Sequence, residues 1–186
     1  MSASPMKKSK AKKVKILNAQ QIRKSLERFC HEILRQHKGS EHLAFIGIRT
    51  RGYYLAQRLC EMLKRLGDKE IPLGEMDITL YRDDLNTLLP DGKVGHTRIP
   101  FDINNKTIIL VDDVLNTGRT VRAAVDHLID LGRPRAIHLA VLVDRGGREF
   151  PIAADFVGKK LRVTAEGEVR VRLKEVDRVD EVLMTQ

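Results

Sequence analysis

The chain is poor in the features that announce several common protein classes. It has only two cysteines, Cys30 and Cys60, both inside helix-like segments and without the spacing of a metal site. A disulfide framework is thereby excluded, and reduced, buried thiols in a cytoplasmic protein are the expectation. Its six histidines form no H-x-x-x-H or comparable cluster, so no protein-ligated zinc is expected. No apolar run approaches the length of a membrane span. The first fifteen residues lack the apolar stretch of a secretory signal. Neither a Walker A loop nor a G-x-G-x-x-G fingerprint occurs, and no internal repeat is visible.

What is present suits a single domain of ordinary size. There are 186 residues, 42% of them hydrophobic, enough for a sizeable core. The formal charge of +9 is unevenly spread. Lys7, Lys8, Lys10, Lys12, Lys13 and Lys15 stand in the first fifteen residues with no acid among them, which leaves +3 for residues 16 to 186. Residues 1–15 therefore read as a basic, disordered tail, and residues 16–186 as the domain. Such a tail can add salt-sensitive affinity for nucleic acid, or merely solubility.

The most informative segment runs Ile108-Ile109-Leu110-Val111-Asp112-Asp113-Val114-Leu115-Asn116-Thr117-Gly118-Arg119-Thr120. A short β-branched apolar run is what a strand buried on both faces requires. Two carboxylates where it ends would sit at the rim of an open α/β sheet, where ligands bind. Asn116 to Thr120 then turns into a helix with Val121, Ala124, Val125, Leu128 and Ile129 inward and Gly132 as its stop. A glycine-containing loop entering a helix points backbone N–H groups at an anion. Thr117 and Thr120 add hydroxyls. One loop thus offers a phosphate cradle beside carboxylates able to hold a polyol or a metal, and a sugar phosphate satisfies both.

Elsewhere, Asn18 with Gln21 forms a capping-box pattern ahead of a helix whose apolar face is Ile22, Leu26, Phe29, Cys30, Ile33 and Leu34, ending at Gly39. Leu43 to Ile48 reads as a buried strand. Arg49 to Gly52 is a turn into a helix with Leu55, Ala56, Leu59, Met62, Leu63 and Leu66 inward. Met76 to Tyr81 reads as a strand, residues 82–100 as a long mobile loop, and Ala136 to Val143 as a strand. Phe156 to Gly158 suits a short strand and Val169 to Leu173 an edge strand. Alternation of strands and helices predicts a doubly wound parallel α/β sheet with helices on both faces.

The acid pair and the Thr117-Gly118-Arg119-Thr120 turn resemble the signature of the type I phosphoribosyltransferases. Gly47-Ile48-Arg49-Thr50-Arg51-Gly52 matches that family's pyrophosphate loop. Asp77 to Asp84, Leu142-Val143-Asp144-Arg145-Gly146, Arg148 to Ile152 and Ala154 to Lys159 narrow the resemblance to the PyrR family. It runs from about Ile16 almost to the C-terminus.

The resemblance implies a type I phosphoribosyltransferase fold with a mobile hood loop. It also implies transfer of the phosphoribosyl group of phosphoribosyl pyrophosphate (PRPP) to uracil, giving UMP. Asp112 and Asp113 would hold the ribose hydroxyls and help position a substrate-bridged Mg²⁺. Thr50, Arg51 and Gly52 would grip the pyrophosphate, and Arg82 and Arg98 would close over it. Asn116, Thr117, Gly118, Arg119 and Thr120 would hold the 5′-phosphate. Arg145 and Gly146 would meet uracil between Val143 and Ile152. Catalysis would rest chiefly on Asp112, Asp113, Arg51 and Arg82. Homodimers or homotetramers are implied, with no membrane association.

The family resemblance also implies UMP-dependent binding to a leader hairpin of pyr messenger RNA, promoting transcription termination. Arg28, His31, Arg148 and Lys159 match positions of that RNA face. Glu27 stands in place of a usual threonine and Gly147 in place of a usual histidine. Asn116 replaces the aromatic residue usual there, and the aspartate with which hypoxanthine-guanine enzymes engage a purine. Two alternatives stay open: an RNA attenuator with incidental transfer, and a transferase for another base.

Overall fold

The computed structural model describes residues 13–37, 40–67, 70–79, 97–161 and 167–185. Its elements are β1 (Lys13–Asn18), α1 (Ala19–His37), β2 (Leu43–Ile48), α2 (Arg51–Arg65), β3 (Leu73–Met76), β4 (Thr107–Leu115), α3 (Arg119–Leu131), β5 (Ala136–Asp144), β6 (Phe156–Lys160), β7 (Glu168–Arg172), α4 (Lys174–Asp177) and β8 (Glu181–Thr185). A five-stranded sheet runs in the order β3-β2-β4-β5-β6, every neighbour parallel. A second, three-stranded antiparallel sheet has the order β1-β8-β7. Among the described residues no helix is long and apolar enough to cross a membrane.

The apolar strands are explained by burial on two sides. Phe45, Ile109 and Val111 enter one core cluster with Ile22, Leu26, Phe29 and Ile33 of α1 and Leu55, Leu59 and Leu63 of α2. Their neighbours Ala44, Ile46, Ile108 and Leu110 enter the other, against Val121, Ala124 and Leu128 of α3. Successive side chains alternate across a strand, so a sheet covered on both faces needs an unbroken apolar run. The doubly wound architecture follows. Cys30 and Cys60 are free thiols, both pushed up to about 12 by burial, and are correspondingly inert.

The capping box at α1 forms as its spacing predicts. The Asn18 N–H donates to Gln21 Oε1 at 2.9 Å and the Gln21 N–H to Asn18 Oδ1 at 2.9 Å. Asn18→Ala should therefore cost about 1 kcal/mol and lower the melting temperature by about 2–4 °C. Thermal denaturation followed by circular dichroism checks this.

Several expectations need correction. The third strand is Leu73–Met76, not Met76 to Tyr81; Asp77 to Thr79 lie beyond it, and residues 80–81 fall outside the described residues. Most of the expected mobile loop, residues 82–96, falls outside them too, and Arg82 with it. Lys38 and Gly39, the expected end of α1, are likewise outside. The tail boundary moves: Lys13 and Lys15 stand in β1, which pairs with β8, so at most residues 1–12 precede the domain. Ile129 is 61% exposed rather than inward. On that face of the sheet α3 is the one described helix, and its outer flank has no neighbour to bury it.

Sequence patterning overlooked β1, β8 and α4. The small sheet they build with β7 joins the first core cluster through Leu17, Val171, Leu173 and Val182. Its placement brings Glu168 and Val169 over the C-terminal ends of the large sheet's strands, where the site lies.

Candidate functional site

The carboxylates of Asp112 and Asp113 lie at the C-terminal end of β4, the middle strand of the large sheet. The chain there turns tightly on itself. The Asp113 N–H donates to Asp112 Oδ1 at 2.9 Å, and the Val114 N–H to Asp113 Oδ1 at 2.8 Å. Burial raises the Asp113 carboxyl above the usual carboxylate range; the nearby Arg51 charge and the Val114 N–H pull the other way. Two acids held in a desolvated place carry a cost that a bound ligand can offset.

The phosphate turn follows directly. Gly118 caps α3 with φ of +94°, a backbone state in which a side chain would be strained, and an added Cβ would also press on Phe150 and Ile152 at 3.3 Å. The Arg119 N–H donates to Thr117 Oγ1 at 3.3 Å. Asp112, Asp113, Asn116, Thr117, Gly118 and Thr120 all line one cavity of about 340 Å³. Arg119 does not join them. Its Nε donates to Glu149 Oε2 at 2.7 Å, and its guanidinium lies 5.3 Å from the Phe150 ring centroid.

From the turn between β2 and α2, Arg49 lines the cavity and pairs with Glu75 at 3.2 Å. The Arg49–Thr50 peptide is cis. Thr50, the exposed N-cap of α2, and the buried Gly52 do not line the cavity. A Cβ on Gly52 would lie 2.4 Å from the Val111 carbonyl oxygen, so α2 starts directly against β4. Arg51 turns to the small sheet: Nε and Nη2 bind the two Asp177 carboxylate oxygens at 3.1 and 2.9 Å. That fork holds the Asp177 carboxyl below the usual range. Arg58 of α2 grips Glu175 and Asp180 nearby, each at 2.7 Å, so α2 and α4 are laced together. Arg98 is exposed on the sheet edge, its backbone bridged to Glu75, and does not line the cavity.

On the opposite wall, Arg145 lines the cavity, and its buried Nε has no hydrogen-bond partner among the described residues. Val143 is wholly buried in the first core cluster and Ile152 packs against the second; neither they nor Gly146 line the cavity. The Gly146 N–H instead donates to Asp144 Oδ1 at 3.0 Å, turning the loop.

Arg148, matched above to the RNA face, is part-buried and turned into the protein. Its Nε donates to the Ile152 carbonyl at 2.8 Å, Nη1 to the Asn116 carbonyl at 2.7 Å, and Nη2 pairs with Asp144 at 2.7 Å. With the Glu149 and Phe150 N–H groups donating to the Thr117 carbonyl at 2.9 and 3.1 Å, it ties the 144–152 loop to the phosphate turn. Gly147 has φ of +73°, and its missing Cβ would stand 3.1 Å from Asn116 Oδ1. A histidine there would be strained by backbone and neighbour alike.

Arg28 and His31 stand on α1 and Lys159 on β6, the strand that Arg28 reaches. Arg28 donates to the Val157 carbonyl at 2.7 Å and pairs with Glu32 at 3.0 Å. Glu27 is paired with Arg23 at 2.8 Å.

Sequence reasoning missed four kinds of lining: Arg49, Ile48 with Ile78, Glu168 and Val169. Arg49 had a signal, since it lies inside the glycine-bounded turn. Glu168 and Val169 had none, being remote in sequence and carried by a sheet whose other strands escaped notice.

Residues 14–175 match the family model described as a phosphoribosyl transferase domain. The curated relatives include the "Bifunctional protein PyrR" of Thermus aquaticus, 54% identical over 170 residues, which spans 91% of this chain and 94% of the relative. The protein of that name from Pelotomaculum thermopropionicum is 49% identical over 174 residues, 94% of this chain and 96% of its own. Solved structures of similar fold include the hypoxanthine phosphoribosyltransferase of Trypanosoma cruzi, with a TM-score of 0.69 at 15% identity over 92% of this chain and 95% of that one. A hypoxanthine-guanine phosphoribosyltransferase of Bacillus anthracis gives 0.68 at 17% identity, covering 96% and 100%.

Proposed function

Because the chain belongs to the phosphoribosyltransferase family and, within it, to the PyrR proteins, we propose that it transfers the phosphoribosyl group of PRPP to uracil, yielding UMP and pyrophosphate. The observation that carries this reading is the single cavity shared by the Asp112–Asp113 pair, the Thr117–Thr120 turn and Arg145. The turn's N–H groups and hydroxyls suit the 5′-phosphate, and the acids suit the ribose hydroxyls. Arg145 has donors only, so its ligand must offer acceptors, as the uracil carbonyls do. Asn116 is neutral and cannot serve as a carboxylate toward a purine.

Bond breaking at C1 places positive charge on the ribose and negative charge on the leaving pyrophosphate. No covalent nucleophile is needed. The protein's part is to hold the base in line with C1 and keep the leaving group's charge compensated. Arg49 is the cation of the turn that reaches the cavity. Arg51 serves from behind, fixing the start of α2 through Asp177. Glu168 and Val169 narrow the entrance and limit water.

The carboxylates of Asp112 and Asp113 are hard oxygen donors on residues that line the cavity. They suit a hydrated Mg²⁺ shared with substrate oxygens. When bound, that ion supplies charge compensation for the pyrophosphate. Steady-state measurement of pyrophosphate release from uracil and PRPP tests the proposal; its absence at saturating substrates would contradict it.

The same reading includes a regulatory role: binding of a pyr leader hairpin favoured by UMP, in a cytoplasmic dimer or tetramer. Arg28 and His31 on α1 and Lys159 on β6 support it, whereas Arg148 acts through the base loop. Gel-shift titrations with matched and scrambled hairpins, with and without UMP, decide it. Deleting residues 1–12 removes four lysines, Lys7, Lys8, Lys10 and Lys12. The salt slope should fall by up to about 3 for both RNAs, with preference for the matched hairpin kept. Equal binding of both RNAs, indifferent to UMP, would contradict the regulatory role.

A further inference from the structure

A second cavity lies apart from the one that holds the acid pair. About 500 Å³ in volume, it opens at the other end of the large sheet, where β2, β4 and β5 begin. Thr107 and Asp113 mark the two ends on β4, about 20 Å apart at strand rise. The volume is in the range of small-molecule sites.

Its lining is rich in nitrogen donors. Three histidines, His37, His42 and His138, and Arg135 face it, with Glu41 the carboxylate among the lining residues. His37 and His138 meet edge to face with ring centroids 5.0 Å apart. His138 Nδ1 lies 3.0 Å from Asp155 Oδ1, and the other Asp155 oxygen accepts the Leu139 N–H at 2.8 Å. Asp155 is thereby occupied, and it orients His138 with Nε2 left over. His37 Nε2 is buried and has no hydrogen-bond partner among the described residues. An unpartnered buried nitrogen carries a desolvation cost that an acceptor on a ligand would recover. The buried Thr107 lies at the base of the cavity and adds a hydroxyl donor.

We infer that this cavity is a second binding site, for a small phosphorylated molecule whose phosphate is held by Arg135, His37 and His138. The guanidinium supplies a permanent charge suited to phosphate, and the imidazoles supply N–H groups. α1 ends at His37, and its C-terminal dipole opposes an anion by roughly half a charge. One guanidinium outweighs that dipole, and the Asp155 carboxylate is turned to His138 and the Leu139 N–H. Burial, with the positive field of His138 and Arg135, holds His37 below the usual imidazole range against the pull of Asp155. A bound dianion would reverse that sign.

The site does not depend on the transferase reading, and the test is local to it. Histidine Cε1–H resonances are followed by NMR on the full-length protein during titration with inorganic phosphate and, separately, UMP. Both the wild type and an Asp113→Asn variant are used. Saturable shifts of His37 and His138 in both proteins, with a dissociation constant of about 1 mM or tighter, are expected, together with a rise in the His37 pKa. Tighter binding of UMP than of phosphate marks a nucleotide ligand; equal binding marks a free phosphate. Arg135→Ala should weaken the His37 response at least tenfold and leave pyrophosphate release within twofold. No saturable shift for either probe, or a His37 response unchanged in Arg135→Ala, would overturn the assignment. So would a response seen with RNA alone.

Discussion

Replacing Asp112 and Asp113 together by asparagine is expected to lower phosphoribosyl transfer by about three orders of magnitude or more, the scale of losing preorganised polar groups at a reacting centre. The pair ends the middle strand, faces the cavity, and stands directly beside the phosphate turn. The protein should nevertheless fold. Burial raises the folded Asp113 pKa above its unfolded value. Its ionised form therefore burdens the native state above that raised pKa, and the burden lifts as pH falls through it. A neutral amide in its place carries no such burden, so at neutral pH the variant should melt no lower than wild type. In the wild type, kcat/KM should fall on the acid side at a pH above the ordinary carboxylate range, because the ionised acid is the one that binds ribose. Melting curves and a pH–rate profile check both parts.

Arg148→Ala should damage the site from outside the cavity. The side chain joins Asp144, the Asn116 carbonyl and the Ile152 carbonyl. Removal leaves the part-buried Asp144 carboxylate without its counter-charge, held by the Gly146 N–H, and takes a donor from two carbonyls. A loss of about 2–3 kcal/mol is expected, lowering the melting temperature by about 5–10 °C. The base loop would loosen against the phosphate turn, so KM for uracil should rise more than KM for PRPP. Arg148→Lys keeps the charge but not the three-way fork, and should recover part of the stability and little of the uracil affinity. An RNA-contacting surface arginine would behave differently: its loss would leave melting and KM unchanged and weaken the hairpin alone.

The architecture was legible wherever burial acts on both faces of an element. Ile108 to Val111 and Leu43 to Ile48 are apolar without alternation because helices cover the sheet on both faces. The acid pair and the turn were legible because their chemistry is local: strand end, loop and helix start are contiguous. β1 and β8 were not. β1 reads Lys-Val-Lys-Ile-Leu-Asn, a half-exposed pattern merged with a lysine-rich tail, and its partner lies at the far end of the chain. Arg51 looked like a pyrophosphate ligand from its loop, yet its fork is filled by Asp177, 126 residues on. Nothing local marks so distant a partner. Arg148 closes the segment Asp144-Arg145-Gly146-Gly147-Arg148, whose spacing does not show which way its guanidinium turns. The left-handed backbone at Gly146 and Gly147 folds it inward.

This fold, shared with hypoxanthine enzymes, here serves a pyrimidine base. A competition assay with uracil, hypoxanthine, guanine and orotate, each at equal concentration with limiting PRPP and Mg²⁺, tests it most directly. UMP should dominate by at least about a hundredfold, since a site whose buried donors are set for one base leaves them unpaired with another. Comparable formation of a purine nucleotide would contradict the account.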